Sequence, residues 1–174
     1  MTRRSTEVCT GVEATGEVAQ RLAAAAAPGQ VLVLRGPLGA GKTTFVKAYA
    51  AALGVTAPVT SPTFTLVHHY RCAPGGLVAS IAHADFWRLG SAGEVADLGL
   101  DDLLEDGAVA LVEWGDLFEG ELPADRITVT FAVVDDETRS IDVDMTTSML
   151  DDGAIARIVG PDPPNARGER GVQP

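Results

Sequence analysis

One run of residues constrains this chain more than any other: Gly36-Pro37-Leu38-Gly39-Ala40-Gly41-Lys42-Thr43, the pattern G-x-x-x-x-G-K-[ST]. Before it stands Gln30-Val31-Leu32-Val33-Leu34, a short apolar run rich in β-branched residues. Such a run suits a strand buried on both faces, as in a parallel sheet. After it, Lys42 to Leu53 is filled with helix formers and closed by Gly54. Strand, glycine turn and helix in that order give the pattern its mechanical sense. The glycines let backbone N–H groups converge on phosphate oxygens, and the opening helix adds its positive dipole end. Lys42 would neutralise the terminal phosphates and the Thr43 hydroxyl would ligate magnesium. The bland reading is a glycine turn with an incidental lysine. Against it, the chain has 13 lysines and arginines together, only Lys42 and Lys47 are lysines, and one of them falls on this position. The residues expected to hold ATP or ADP are therefore Gly36, Pro37, Leu38, Gly39, Ala40, Gly41, Lys42, Thr43 and Thr44.

The remaining sequence builds around that unit. Glu13 to Ala27 reads as a helix stopped by Pro28-Gly29. Thr63 to Tyr70 and Leu77 to Ala84 read as two strands of a hairpin around Ala73-Pro74-Gly75-Gly76. Ser91 to Leu104 reads as two short helices broken at Gly99, and Ala108 to Val112 as a second buried strand. Arg126 to Val134 and Ser140 to Met145 alternate apolar with polar residues, as a half-exposed antiparallel hairpin does. Ser148 to Val159 suits a terminal helix. The expectation is a three-layer α/β P-loop domain over residues 1–159, its central sheet mainly parallel with antiparallel strands added. Residues 160–174 are proline-rich, almost without apolar content, and read as a disordered tail.

Composition narrows the function classes. Of 174 residues, 46% are hydrophobic, enough for a packed core. A net charge of −11 disfavours direct contact with nucleic acid, because such binding rests on Lys and Arg displacing counterions from phosphates. A role in nucleic-acid chemistry would therefore run through a protein partner. The start, Met-Thr-Arg-Arg, has no apolar segment of the secretory kind, and no apolar run approaches the roughly 18 residues of a membrane span. A cytoplasmic protein without a membrane segment is expected, with Cys9 and Cys72 as free thiols.

A phosphate loop needs an acid near its magnesium, commonly at the end of a buried strand. Glu113 closes the run Ala108 to Val112 and fits; the alternative is a strand-end acid facing water. Asp85 could orient the attacking water, or merely cap the next turn. Ser61-Pro62-Thr63 puts two hydroxyls on a loop beyond the helix, and an ordinary hydroxyl-bonded turn explains them as well. His68, His69 and His83 with Cys72 invite a zinc reading, but alternation puts His68 and His69 on opposite faces of a strand. Trp87 and Trp114 read as packing residues. A small-molecule or nucleotide kinase would share loop, lysine and acid. Such enzymes close an arginine-bearing lid over the acceptor, yet nothing basic lies between Leu89 and Val109.

Taken in order, Leu38 to Phe45, Ser61-Pro62-Thr63-Phe64-Thr65-Leu66-Val67, His83-Ala84-Asp85-Phe86-Trp87-Arg88-Leu89 and Leu111-Val112-Glu113-Trp114-Gly115-Asp116 resemble the TsaE (YjeE) family. These are bacterial ATPases required for threonylcarbamoyladenosine in tRNA. The resemblance covers roughly residues 10 to 145. It implies that Thr43 and Glu113 ligate Mg2+ and that Asp85, with Lys42 and Glu113, serves hydrolysis beside the terminal phosphates. It also implies that Trp114 sits beside the nucleotide and that Ser61 to Thr63 form a switch-like loop. Thr15, in the N-terminal segment, falls near the family's adenine pocket, and Arg139 near its basic residue after the last strands. The implied partners are TsaD- and TsaB-like proteins, with tRNA reached only through them. Hydrolysis by the free chain should be slow, since no arginine finger stands out in the sequence.

Overall fold

A computed structural model describes residues 2–146 together with 153, 156 and 158. Its strands are β1 (Thr2–Thr10), β2 (Val31–Arg35), β3 (Val67–Arg71), β4 (Ser80–Asp85), β5 (Val109–Glu113), β6 (Ile127–Val133) and β7 (Thr138–Thr146). Its helices are α1 (Gly11–Ala23), α2 (Lys42–Ala52), α3 (Ala92–Ala96) and α4 (Leu100–Glu105), with a 3₁₀ segment at Gly115–Glu121. The seven strands form one sheet in the order β1-β7-β6-β2-β5-β4-β3. The middle four, β6, β2, β5 and β4, run parallel. Antiparallel strands finish both edges, β3 on β4 and the pair β7 and β1 beyond β6.

The expected α/β class and mainly parallel centre are thus present, and the reason lies in which residues bury. β2 and β5 have no polar face: Val31 to Leu34 and Val109 to Val112 are all buried. Alternate residues serve opposite cores. Leu32, Leu34, Val109 and Leu111 pack under α1 and α2, whereas Val31, Val33, Ala110 and Val112 pack against α3, α4 and the 3₁₀ segment. Three layers follow from a sheet that must be covered on both sides.

Several boundaries differ from expectation. Thr2–Thr10, which carries no strand pattern in its sequence, pairs along its whole length with β7. An edge strand needs no apolar run; this one is held by polar cross-strand contacts. Arg4 donates to both carboxylate oxygens of Asp144 at 2.6 and 2.9 Å, and Thr6 Oγ1 donates to Asp142 at 2.6 Å. Helix α1 ends at Ala23, because Ala25 and Ala26 donate to the carbonyls three residues back and the chain tightens before Pro28. Strand β3 begins only at Val67 and β4 only at Ser80, since Thr63–Leu66 is turn and bend and the hairpin loop extends to Ala79. Gly99, at φ +67°, does divide α3 from α4. The expected terminal helix falls on residues of which only Gly153, Ala156 and Ile158 are described, all three helical, and the expected tail lies outside the described residues.

The core under α2 gathers around Phe45, which is fully buried. Its ring meets Phe131 of β6 edge-on at 5.6 Å and Tyr49 at 6.3 Å between centroids. Phe45→Ala should therefore cost about 3–5 kcal/mol in urea denaturation, the usual loss for an enclosed Phe. A shift below 1 kcal/mol would mean that helix and sheet are not locked there.

Candidate functional site

The C-terminal ends of the parallel strands converge on one side of the sheet, where α/β folds place their ligands. Arg35 ends β2, and the chain turns through residues 36–41 into α2. Two glycines make this turn possible. Gly36 sits at φ +142°, and a Cβ there would lie 2.6 Å from the carbonyl oxygen of Phe131. Gly41, the N-cap of α2, is left-handed at φ +104°. The Ala40 amide donates to Pro37 O at 3.2 Å, closing the turn. The amides of the first turn of α2 have no partners within the helix, so they and the helix dipole face whatever lies in front of the loop.

Lys42 is buried and folds back over its own loop, donating to Gly36 O at 2.7 Å and Pro37 O at 3.0 Å. Its Nζ lies 4.3 Å from the centroid of the Trp114 ring. Burial pushes the ammonium's pKa below the ordinary lysine value, while Glu113, Asp85 and Asp116 pull it back up. Trp114 owes its position to a left-handed backbone, φ +60°, between the end of β5 and the 3₁₀ segment. Trp87 packs against it with centroids 4.6 Å apart. The two tryptophans pack on each other as expected, and both also line the cleft, where Trp87 is 58% exposed.

Thr43 Oγ1 donates to Glu113 Oε1 at 2.9 Å, joining the start of α2 to the end of β5. Asp85 stands beside Glu113 in the β4–β5 register. Its Oδ1 accepts from the Trp87 amide at 3.0 Å, and its own amide donates to Leu66 O. Leu66 is itself left-handed at φ +64°, a costly state for a leucine. Upstream of it Ser61 and Thr63 hydroxyls lie 2.8 Å apart and bond each other rather than the backbone turn. The loop Ser61–Leu66 is thereby pinned across the end of β4.

One cleft of about 790 Å³ is lined by Pro37, Leu38, Gly39 and Gly41 of the loop with Lys42, Thr43, Thr44, Ser61, Thr63, Asp85, Glu113 and Trp114, whereas Gly36 lies behind it against Phe131. Ala40, in contrast, is wholly buried behind the loop and lines only the neighbouring cleft. That second cleft, about 490 Å³, shares Gly39, Gly41 and Thr44 with the first and is lined by Thr15 of α1 and Arg139 of β7. Thr15 and Arg139, far apart in sequence, thus meet at the same loop. One nitrogen of the Arg139 guanidinium, Nη1, donates to Asp135 O at 2.7 Å and to Thr138 O at 3.0 Å. Arg88 in the first cleft and His83 beneath it were not expected there from the sequence. Arg88 lines it with its guanidinium 4.8 Å from the centroid of the exposed Phe64 ring, an arginine the sequence order alone did not aim anywhere. His83 lies beneath it, 2.9 Å from Glu113.

The histidines do not assemble as a zinc site would require. His68 lies half-buried on the edge strand β3, 3.0 Å from the Tyr70 hydroxyl, and His83 is in the core. Among the described residues no group of three or more His, Cys, Asp or Glu could hold a metal ion, no helix is long and apolar enough to cross a membrane, and Cys9 and Cys72 are free.

Comparison with known proteins decides the family. The model described as "Threonylcarbamoyl adenosine biosynthesis protein TsaE" matches residues 9–141. The chain belongs to the TsaE family. A TsaE-family relative from Bacillus subtilis strain 168, a tRNA threonylcarbamoyladenosine biosynthesis protein, is 43% identical over 129 residues, 74% of this chain and 78% of its own. One from Treponema pallidum is 40% identical over 115 residues, 66% and 82% of the two chains. Among solved structures, Bacillus subtilis YdiB superposes with a TM-score of 0.69 at 34% identity, covering 83% of this chain and 87% of that one. The matched span contains the whole glycine loop, Asp85, Glu113 and Trp114 of this TsaE-family chain.

Gly36→Ala should destabilise the protein by about 1–3 kcal/mol, since the loop must shift to relieve both the contact with Phe131 and the backbone strain. Urea midpoints equal for the two proteins would show that the loop is not held against β6.

Proposed function

We propose that this chain is a magnesium-dependent ATPase that binds ATP on the loop Gly36–Thr43. Its binding and hydrolysis of ATP would support a TsaD–TsaB pair in forming threonylcarbamoyladenosine in tRNA. The observation that carries the proposal is the convergence of four parts on one cleft: the glycine turn at the start of α2, the Lys42 ammonium, the Thr43–Glu113 pair and Asp85. Family membership, and relatives named for tRNA threonylcarbamoyladenosine biosynthesis, support the tRNA part.

Each side chain has a definable task. Loop amides and the α2 dipole receive phosphate oxygens. Lys42 gives up its two carbonyl contacts for the triphosphate, a stronger acceptor because it is ionised. Thr43 and Glu113 would hold magnesium, and a hydroxyl beside a carboxylate 2.9 Å away is a suitable hard-oxygen pair for an ion that keeps several waters and takes phosphates as further ligands. When bound, that ion spreads the negative charge of the terminal phosphates. Asp85, its carboxylate fixed by the Trp87 amide, orients the attacking water. Trp114 shields Lys42 from solvent, and Thr15 and Arg139 border the cleft that would take the adenosine. A charge of −11 agrees with reaching tRNA through TsaD- and TsaB-like proteins, and we place this activity in the cytoplasm.

Lys42→Ala should lower ATP affinity by roughly 100-fold or more in calorimetric titration, the scale of about 3 kcal/mol for a charged hydrogen-bonded partner. The same variant should fail to support modification by a reconstituted TsaD–TsaB pair. Affinity within a factor of two of the native chain would remove the ATPase assignment. Transfer of γ-phosphate to a nucleoside or nucleotide, rather than to water, would replace it with a kinase.

A further inference from the structure

Beneath the cleft lies a polar group that the fold does not require. His83 is wholly buried on β4, between His68 of β3 and Leu111 of β5 in the register of the sheet. Residues flanking it on the same face, Ile81 and Leu111, belong to the aliphatic core under α2. Its Nε2 lies 2.9 Å from Glu113 Oε1. An ionised carboxylate only accepts, so Nε2 carries the proton and donates. The other ring nitrogen, Nδ1, is buried with no hydrogen-bond partner among the described residues. Leaving such an atom unpaired costs about 1–3 kcal/mol, and a leucine of similar volume would fill the site without that penalty. Apolar packing of this core therefore does not account for the imidazole.

Glu113 does. Its Oε1 accepts two hydrogen bonds, from Thr43 Oγ1 on the loop side and from His83 Nε2 on the core side. A glutamate has three side-chain torsions and, at the end of a strand, little else to fix them. We propose that His83 is a positioning residue for magnesium: it holds the Glu113 carboxylate in the one orientation in which Glu113 and Thr43 form a divalent-cation site. The inference rests on the proposed function and goes beyond it, since it concerns a side chain that touches neither nucleotide nor metal. Ligating carboxylates commonly depend on such outer partners, whose loss weakens metal binding about 10- to 100-fold.

The test compares the native full chain with His83→Leu and His83→Gln. ADP affinity is measured by calorimetry with and without magnesium, and stability by urea denaturation. Native protein should gain affinity when magnesium is added. His83→Leu should fold cooperatively in urea denaturation and bind magnesium-free ADP as the native chain does. Its magnesium-dependent gain should fall tenfold or more. His83→Gln, whose side-chain amide reaches about as far as Nε2 and can donate, should recover most of that gain. The inference is overturned if His83→Leu keeps the full gain, if it no longer folds, or if His83→Gln recovers nothing. A native chain that binds ADP tightly but gains nothing from magnesium overturns this inference and the magnesium site of the proposed function together. A full gain in both native chain and His83→Leu overturns the inference alone.

Discussion

The structure depends on one close approach, the backbone of Gly36 against the carbonyl of Phe131. With no Cβ in the way, the chain leaving β2 can lie against β6 and still turn into α2 within six residues. That turn fixes where the helix begins and points its unpaired amides along the sheet edge. Phe45, one turn into α2, then packs on the same Phe131 whose carbonyl faces Gly36. Loop geometry and core packing are thus anchored to a single residue of β6, so the loop is held by the centre of the fold rather than by its surface.

The polar groups of the loop bond one another. Lys42 caps two carbonyls of its own turn under the Trp114 ring, and Thr43 bonds Glu113. The Lys42 partners are neutral carbonyls, so under the proposed function a polyanion would replace weak acceptors with ionised ones. Strain is concentrated in the same place. Among the described residues two non-glycine positions have positive φ, Leu66 and Trp114: one pins the Ser61–Leu66 loop to Asp85, and the other carries the ring over Lys42. Backbone strain of this kind persists where surroundings enforce it, and it is found preferentially at ligand sites.

Much of this was legible in the sequence, for reasons that can be named. β2 and β5 are continuous apolar runs because both faces are covered, and the glycine loop is legible because few backbones allow that turn. Glu113 was found by its place at the end of such a run. What the sequence hid was whatever depends on partners far along the chain. β1 is written in polar residues whose partners are Asp142 and Asp144, more than 130 residues away. Arg88 and Trp87 follow a buried strand directly, and only the folded turn shows that they swing toward the loop. His83 looked like a member of a histidine cluster because its true partner, Glu113, is 30 residues distant.

The central claim, that main-chain amides of this turn grip a triphosphate, is tested most directly by following the amide resonances of the 15N-labelled chain during titration with ATP and magnesium. The account requires the largest shifts at Gly39, Gly41, Lys42, Thr43 and Thr44, saturating together with calorimetric binding. Shifts confined to other parts of the sheet, with these five amides unmoved at saturation, would contradict it.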